Sequence, residues 1–342
     1  MSKTVFVSGA NGHLGYNLVK ELVKKGYQVR AGVRDINNSS KNRFLQELKN
    51  VELRQADITI LDQLVEASKG VDVFFHVAAV FGFHVKDPEN DLIKPTVEGA
   101  LNALRATKEN NIPKIILTSS IIALGNSGTK ENPMDENSWN TDSKIPYSIA
   151  KYRSEWQAWE YANENKLNLV VINPGMIIGG EFHKITPSLK VFLEILENKI
   201  PAIPPLTFNP VDVTDLAKAH IIVSEKDDAN GRYICATRPY SFSELIEISK
   251  KFNSNVKVPK VKISRFIFRV YTRISYTFFK LLGKTPQLSP NQAKEYTEGE
   301  DYVDTSRILN LGWKPTDIET SIENTINWIT KQEFTLKKQQ LF

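Results

Sequence analysis

Tyr147 and Lys151 are the two side chains whose types and spacing promise chemistry. They stand four apart in a helical pattern over residues 147–163, so both project from one helix face. A phenol ordinarily titrates near ~10. An ammonium one turn away, together with a cationic ring on a bound ligand, would favour the phenolate and lower that value, which lets the phenol exchange a proton with a ligand oxygen near neutral pH. Upstream, Thr118, Ser119 and Ser120 close an apolar run, and the Ser120 hydroxyl can hold the same oxygen. Taken alone, the Tyr-x-x-x-Lys pair arises by chance, and serines at a strand end often do no more than satisfy backbone groups.

The weight comes from what must stand opposite the pair. Val5, Phe6 and Val7 form a short β-type run, followed by Ser8 and then Gly9-Ala10-Asn11-Gly12-His13-Leu14-Gly15. Leu14, Leu18, Val19, Leu22 and Val23 follow at helical spacing. A strand, a glycine turn and a helix in that order build an anion site. The helix N-terminus offers unpaired N–H groups and the positive end of its dipole, and the glycines let backbone approach a pyrophosphate. A purely structural turn is the rival reading; the position between strand and helix favours a dinucleotide.

Strand and helix patterns then alternate. Strands are expected at residues 27–34, 51–57, 71–79, 114–120 and 167–173, with helices between them, for example 95–110 and 147–163. This alternation predicts an α/β protein with a Rossmann-type, doubly wound parallel sheet, whose ligands bind beyond the carboxyl ends of the strands. Candidate residues are therefore sought just after each strand. After the second, Gly32 leaves space and Arg34 offers a guanidinium to an adenosine 2′-phosphate, with Lys41 as a second cation. This favours NADP(H) over NAD(H). After the third, Asp57 and Ile58 are placed for adenine, with capping as the alternative. After the fourth, Val77, Ala78 and Ala79 are small enough for backbone to meet the cofactor.

Composition bounds the rest. The 342-residue chain is 41% hydrophobic and 24% charged with a net charge of +5, as for a globular protein of one large or two moderate domains. The charges read as scattered, so no nucleic-acid partner is expected. The single cysteine, Cys235, allows no intramolecular disulfide and fits a reducing, cytoplasmic setting. His13, His76, His84, His183 and His220 show no metal-ligand spacing, and no metal is expected. The chain enters its first strand directly, so no signal peptide is expected. No apolar run approaches the roughly 18 residues of a membrane span.

The order of the motifs resembles the extended short-chain dehydrogenase/reductase family: the glycine turn from Gly9 to Gly15, Asp57-Ile58, Thr118-Ser119-Ser120, Tyr147 with Lys151, and Asn173-Pro174-Gly175. The stretches 29–35, 86–90, 93–99, 211–220 and 231–235 look like its dihydroflavonol 4-reductase and cinnamoyl-CoA reductase group. The likeness covers roughly residues 1–240 and returns at 304–315. It implies a catalytic trio of Ser120, Tyr147 and Lys151. Tyr147 would give a proton to a carbonyl oxygen as nicotinamide delivers hydride to its carbon, and Lys151 would also hold the nicotinamide ribose. Cofactor contacts would come from Gly9, Asn11, Gly12, His13, Leu14, Gly15, Arg34, Lys41, Asp57, Ile58, Val77, Ala78, Ala79, Thr118, Pro174 and Gly175. Thr96 stands where many members carry a catalytic Asn, so no fourth residue is carried over.

The expected organisation is a cofactor-binding domain over 1–175 with returning segments near 207–235 and 303–317. A substrate region covers 176–206 and 236–302, and a C-terminal helix and tail cover 318–342. Prolines 201, 204, 205 and 210 read as a substrate mouth or a rigid connection. Residues 262–283 read as a basic, aromatic helix with Arg265, Arg269, Arg273 and Lys280 near one face. Packing on the core with a solvated charged stripe is favoured there over a membrane surface, and a greasy substrate lid is the third choice. The whole reads as an NADP(H)-dependent reductase of an apolar or aromatic aldehyde or ketone, monomeric or homodimeric. The alternatives are a hydroxysteroid-type dehydrogenase, an NAD-dependent nucleotide-sugar epimerase or dehydratase, and an NADP-sensing regulator without turnover.

Overall fold

In the computed structural model, residues 3–79, 87–180, 182–283, 286 and 288–339 are described, with side chains to residue 331. Lys86 and His84, both singled out above, lie outside the described residues.

β1 (Thr4–Ser8) runs through the middle of the protein, and its alternation builds both faces of the core. Val5 and Val7 join the side that receives α1 (His13–Lys24). Phe6 points to the other side, edge-on to Phe74. There follow β2 (Gln28–Val33), α2 (Ser39–Gln46), β3 (Val51–Gln55), α3 (Leu61–Ala67), β4 (Val73–His76), a π-helical turn at Glu89–Ile93 and α4 (Lys94–Glu109). After these come β5 (Lys114–Thr118), a 3₁₀ turn at Ile121–Ala123, α5 (Pro146–Glu164) and β6 (Leu169–Pro174). The expected strands are all present, most of them shorter by two to five residues where turn residues take over, with β6 starting two residues late and ending one residue beyond its expected end.

The second half begins with β7 (Met176–Ile178), α6 (Pro187–Leu196), β8 (Thr207–Phe208), β9 (Pro210–Asp212) and α7 (Val213–Glu225). It continues with β10 (Gly231–Cys235), β11 (Tyr240–Ser241), α8 (Phe242–Phe252), α9 (Arg265–Leu281), α10 (Pro290–Glu295), α11 (Ser306–Asn310) and α12 (Ile318–Gln339).

Seven strands form one parallel sheet in the order β10-β6-β5-β4-β1-β2-β3, a doubly wound α/β arrangement. α1 and α7 lie on one face, with Leu18, Leu22, Leu216 and Trp313 in their core. α3, α4 and α5 cover the other with Leu64, Leu104 and Ala158. The register pairs Ser8 with Gly32 and His76, and Thr118 with Ile172. The carboxyl ends of the strands therefore share one edge, and the candidate residues follow along it.

A second core gathers α6, α8 and α12 around Leu189, Phe192, Leu245, Ile322 and Ile326. α9 does not join it. Only Phe268 and Thr272 of that helix are buried, and its remaining apolar residues face outward. The expectation of a core-packed helix with a solvated charged stripe is corrected: periodicity finds an apolar face without telling which side of the helix it faces. The reading of scattered charge is corrected with it. Between Glu247 and Glu295 the chain holds eleven Lys or Arg and no Asp or Glu. No helix among the described residues is long and apolar enough to cross a membrane.

Candidate active site

The glycine turn is built by close approach. Gly9 has φ +67°, and a Cβ there would lie 2.7 Å from Ala78 Cα. A Cβ on Gly15 would overlap the Gly9 carbonyl oxygen. These two positions need glycine for conformation and for packing of helix on turn. Gly12 begins α1 without a side-chain cap, so first-turn N–H groups are directed toward the strand edge with no side chain serving them. A turn filled by no Cβ above an uncapped helix start fits a dinucleotide pyrophosphate. Leu14 is buried in the core behind it. Asn11 and His13 fasten it sideways: Asn11 Nδ2 donates to Asn42 Oδ1 at 2.9 Å, and His13 Nε2 lies 3.1 Å from the Gly179 carbonyl. Burial lowers His13 to about 4. His13, Phe182, His183 and Phe44 form a run of ring contacts. That run ties the turn to α2 and to the segment before α6, and it carries no signal in sequence spacing.

At the end of β2, Gly32 does not leave open space. A Cβ there would sit 2.6 Å from Phe6 Cζ, so the glycine is required by the core, and that part of the 2′-phosphate reading is corrected. Arg34 stands beyond it with its side chain 71% exposed, 3.7 Å from Asp57 Oδ2. Lys41 is exposed in the first turn of α2. Asp57 also accepts from Thr59 N–H at 2.9 Å and from its hydroxyl at 2.8 Å, the capping alternative. Ile58 is a core residue, packed where a Cβ on Gly99 would lie 2.6 Å from its Cδ1. Val77 and Ala78 are partly buried and Ala79 is exposed.

The proton-handling residues meet at β4 and β5. The Ala78 N–H donates to Ser8 Oγ at 3.4 Å, and Ser8 Oγ lies 3.0 Å from His76 Nδ1. Burial, with the nearby Lys151 charge, lowers His76 to about 3, so this imidazole is neutral and shares one hydrogen bond with the Ser8 hydroxyl. Lys151 Nζ donates to the Thr118 carbonyl at 3.4 Å. Burial brings Lys151 down to about 8, partly offset by Glu155. Thr118 Oγ1 lies 2.8 Å from His220 Nε2, while His220 Nδ1 lies 2.8 Å from the Leu216 carbonyl. The Nδ1–H must donate to that carbonyl, so Nε2 accepts from the threonine. Thr118 thus spends its hydroxyl proton behind the sheet edge and uses its carbonyl to hold Lys151.

Tyr147 begins α5, partly buried beside Leu92 and Ile93. Burial, then the Tyr296 phenol, pushes its pKa above the ordinary range. In the protein alone burial governs the phenol, and the Lys151 ammonium donates to the Thr118 carbonyl; the lowering expected of Tyr147 belongs to the complex with the oxidised cofactor. Ser120 caps the 3₁₀ turn, accepting from Ile122 N–H at 3.3 Å. Ser119 Oγ is buried without a hydrogen-bond partner. Thr96 donates its hydroxyl to the Leu92 carbonyl at 2.6 Å.

Below the trio lies a network missed by the sequence reading. Arg232 Nε and Glu155 Oε1 are 2.6 Å apart, both almost fully buried. Asn173 Nδ2 donates to Glu155 Oε2 at 2.8 Å and to the Ser120 carbonyl at 3.2 Å. Arg232 lies over the Trp139 ring at 3.8 Å. Two signals were present: Glu155 is one turn beyond Lys151 on the same helix, and Arg232 is a charge in an apolar strand that must find a partner. Pro174 ends β6, and a Cβ on Gly175 would overlap the Asn209 carbonyl, so this glycine serves the crossing of two strands.

Comparison with known proteins supplies the family and the fold. The NAD dependent epimerase/dehydratase family matches residues 5–236. The chain is 32% identical to anthocyanidin reductase of Arabidopsis thaliana over 296 residues, covering 77% of this chain and 87% of that protein. It is 32% identical to the cinnamoyl-CoA reductase CAD2 of Medicago truncatula over 351 residues, covering 98% of each. Among solved structures, Gre2 of Candida albicans in complex with NADPH matches at a TM-score of 0.72 and 28% identity, covering 96% of this chain and 99% of that one. The chain belongs to the NAD dependent epimerase/dehydratase family, and within it resembles the anthocyanidin and cinnamoyl-CoA reductases.

Proposed function

We propose that this protein is an NADPH-dependent reductase of an aldehyde or ketone, with Tyr147 as proton donor. The observation that carries the reading is the position of Lys151, buried at the shared carboxyl edge between His76 and Thr118, one helical turn from Tyr147. The anthocyanidin and cinnamoyl-CoA reductases among its relatives support it, as does the NADPH of the Gre2 complex.

NADPH, when bound, supplies the hydride. The glycine turn and the start of α1 would take its pyrophosphate, and Arg34 with Lys41 its 2′-phosphate. Tyr147 starts protonated, since burial holds its proton, and it serves as the acid for the substrate oxygen. Lys151, cationic below about 8, stabilises the phenolate left behind. Ser120 orients the same oxygen. The Glu155–Arg232–Asn173 network fixes the Ser120 carbonyl from beneath. The single buried cysteine accords with a reducing, cytoplasmic setting.

The test is NADPH oxidation across a panel of aldehydes, ketones, dihydroflavonols and sterols, with Tyr147→Phe beside the parent. Turnover of at least one carbonyl class by the parent, with a loss of roughly 10²–10⁴-fold in the variant, is expected. Equal rates in the two proteins would remove the acid assignment.

A further inference from the structure

Among the described residues, fourteen large apolar side chains stand exposed, and nine of them lie between Phe266 and Leu282. Scattered exposed apolar residues need no explanation, but a contiguous patch does. α9 divides into three faces. Phe268 and Thr272 are buried. Ile267, Tyr271, Ile274, Phe278 and Leu281 share a second face at helical spacing, with Ile274 65% and Leu281 82% exposed. Arg265, Arg269, Arg273 and Lys280 share the third. Arg269 Nε donates to Thr297 Oγ1 at 2.8 Å, which anchors this cationic edge along α10 and leaves the apolar face turned away.

We infer that α9 is a docking helix for an anionic phospholipid bilayer, lying in its surface. Charge complementarity selects this occupant. The eleven cations between Glu247 and Glu295 have no acidic residue among them. The whole chain carries only +5, so the rest of the molecule is net negative and the excess of positive charge lies in this segment, where only Lys251 and Lys294 are seen paired among the described residues, with Glu319 and Glu298. Lys257, Lys260 and Lys262 are exposed as the chain approaches the helix. A large apolar face flanked by cations, on a helix too short and too charged to span, is the pattern of interfacial helices. A second copy of the chain is a poorer partner, because a twofold contact along α9 would set one cationic edge near another with no carboxylate of the helix to alternate with it. A nucleic acid would answer the charge and leave the apolar face uncovered.

The experiment is co-sedimentation of the full chain with vesicles of phosphatidylcholine alone and of phosphatidylcholine with 30% phosphatidylserine, at low and high salt. Binding to the anionic vesicles at least tenfold above the zwitterionic ones, weakened by salt, is expected. Ile274→Ser with Phe278→Ser removes apolar surface, and Arg273→Glu with Lys280→Glu reverses charge. All four residues are exposed, and thermal melting of each double variant checks that folding is kept. Each is expected to lower anionic-vesicle binding tenfold or more at an unchanged melting temperature. Absence of vesicle binding by the parent overturns the inference, as does binding that both double variants retain. A concentration-dependent dimer, or capture of a duplex oligonucleotide, with no vesicle binding overturns it in favour of that other occupant.

Discussion

Helices α5 and α9 treat polarity in opposite ways. α5 turns three of its ionisable residues inward, Lys151 and Glu155 buried and Tyr147 partly so, while Arg153, Glu160 and Glu164 stay exposed. α9 turns most of its aromatic and aliphatic residues outward and keeps Thr272 inside. The first inversion is answered within the fold, because Thr118, Asn173 and Arg232 meet the buried groups. The second is answered, among the described residues, by nothing on its own apolar face. A helix that buries charge is positioned for chemistry, and one that exposes apolar surface is positioned for an outside partner.

Three perturbations break or sharpen that contrast. Glu155→Ala leaves the Arg232 guanidinium buried without its carboxylate and is expected to cost about 3–5 kcal/mol in urea unfolding. Ile274→Ser on α9 stays within about 0.5 kcal/mol. Similar costs at both positions would erase the distinction. Arg34→Ala, at an exposed residue outside both helices, is expected to weaken NADPH binding about 10–100-fold. NADH binding and the melting temperature should stay as they were. An unchanged preference between the two nucleotides would remove Arg34 from the 2′-phosphate site.

A modest effect is expected on the pH dependence of stability. Lys151 is lowered by burial to about 8 from its ordinary 10.5. Below about 8 both folded and unfolded chains carry the proton, and the full cost of burying the charge is present. As pH rises above about 8 the unfolded chain holds a proton that the folded chain has released, so this group's contribution to stability rises. The parent is expected to gain about 1 kcal/mol between pH 7 and pH 9 relative to Lys151→Met. Parallel stability curves for the two proteins would contradict a buried ammonium.

Much of the parallel-sheet half was legible because alternation of strand and helix admits few topologies, and because parallel strands bring their ends to one edge. Gly9, Gly15, Tyr147 and Lys151 stand out as candidates by type and spacing. What was misread depended on depth or on facing. Gly32 reads as space until Phe6 is seen to fill it. The burial that raises the Tyr147 phenol in the protein alone leaves no signal in spacing. The apolar face of α9 reads as core until its outward direction is known. The Glu155–Arg232 pair is split by 77 residues, and no local pattern joins its halves.

The proposed chemistry is tested most directly by following the transferred hydrogen. NADPH labelled with deuterium on the transferring face of its nicotinamide is incubated with the parent protein and a carbonyl substrate from the panel, and the product is read by mass spectrometry and NMR. One deuterium on the former carbonyl carbon is expected, formed orders of magnitude more slowly with Tyr147→Phe. Product without label at that carbon, or label arriving as fast in the variant as in the parent, would contradict hydride transfer assisted by this tyrosine.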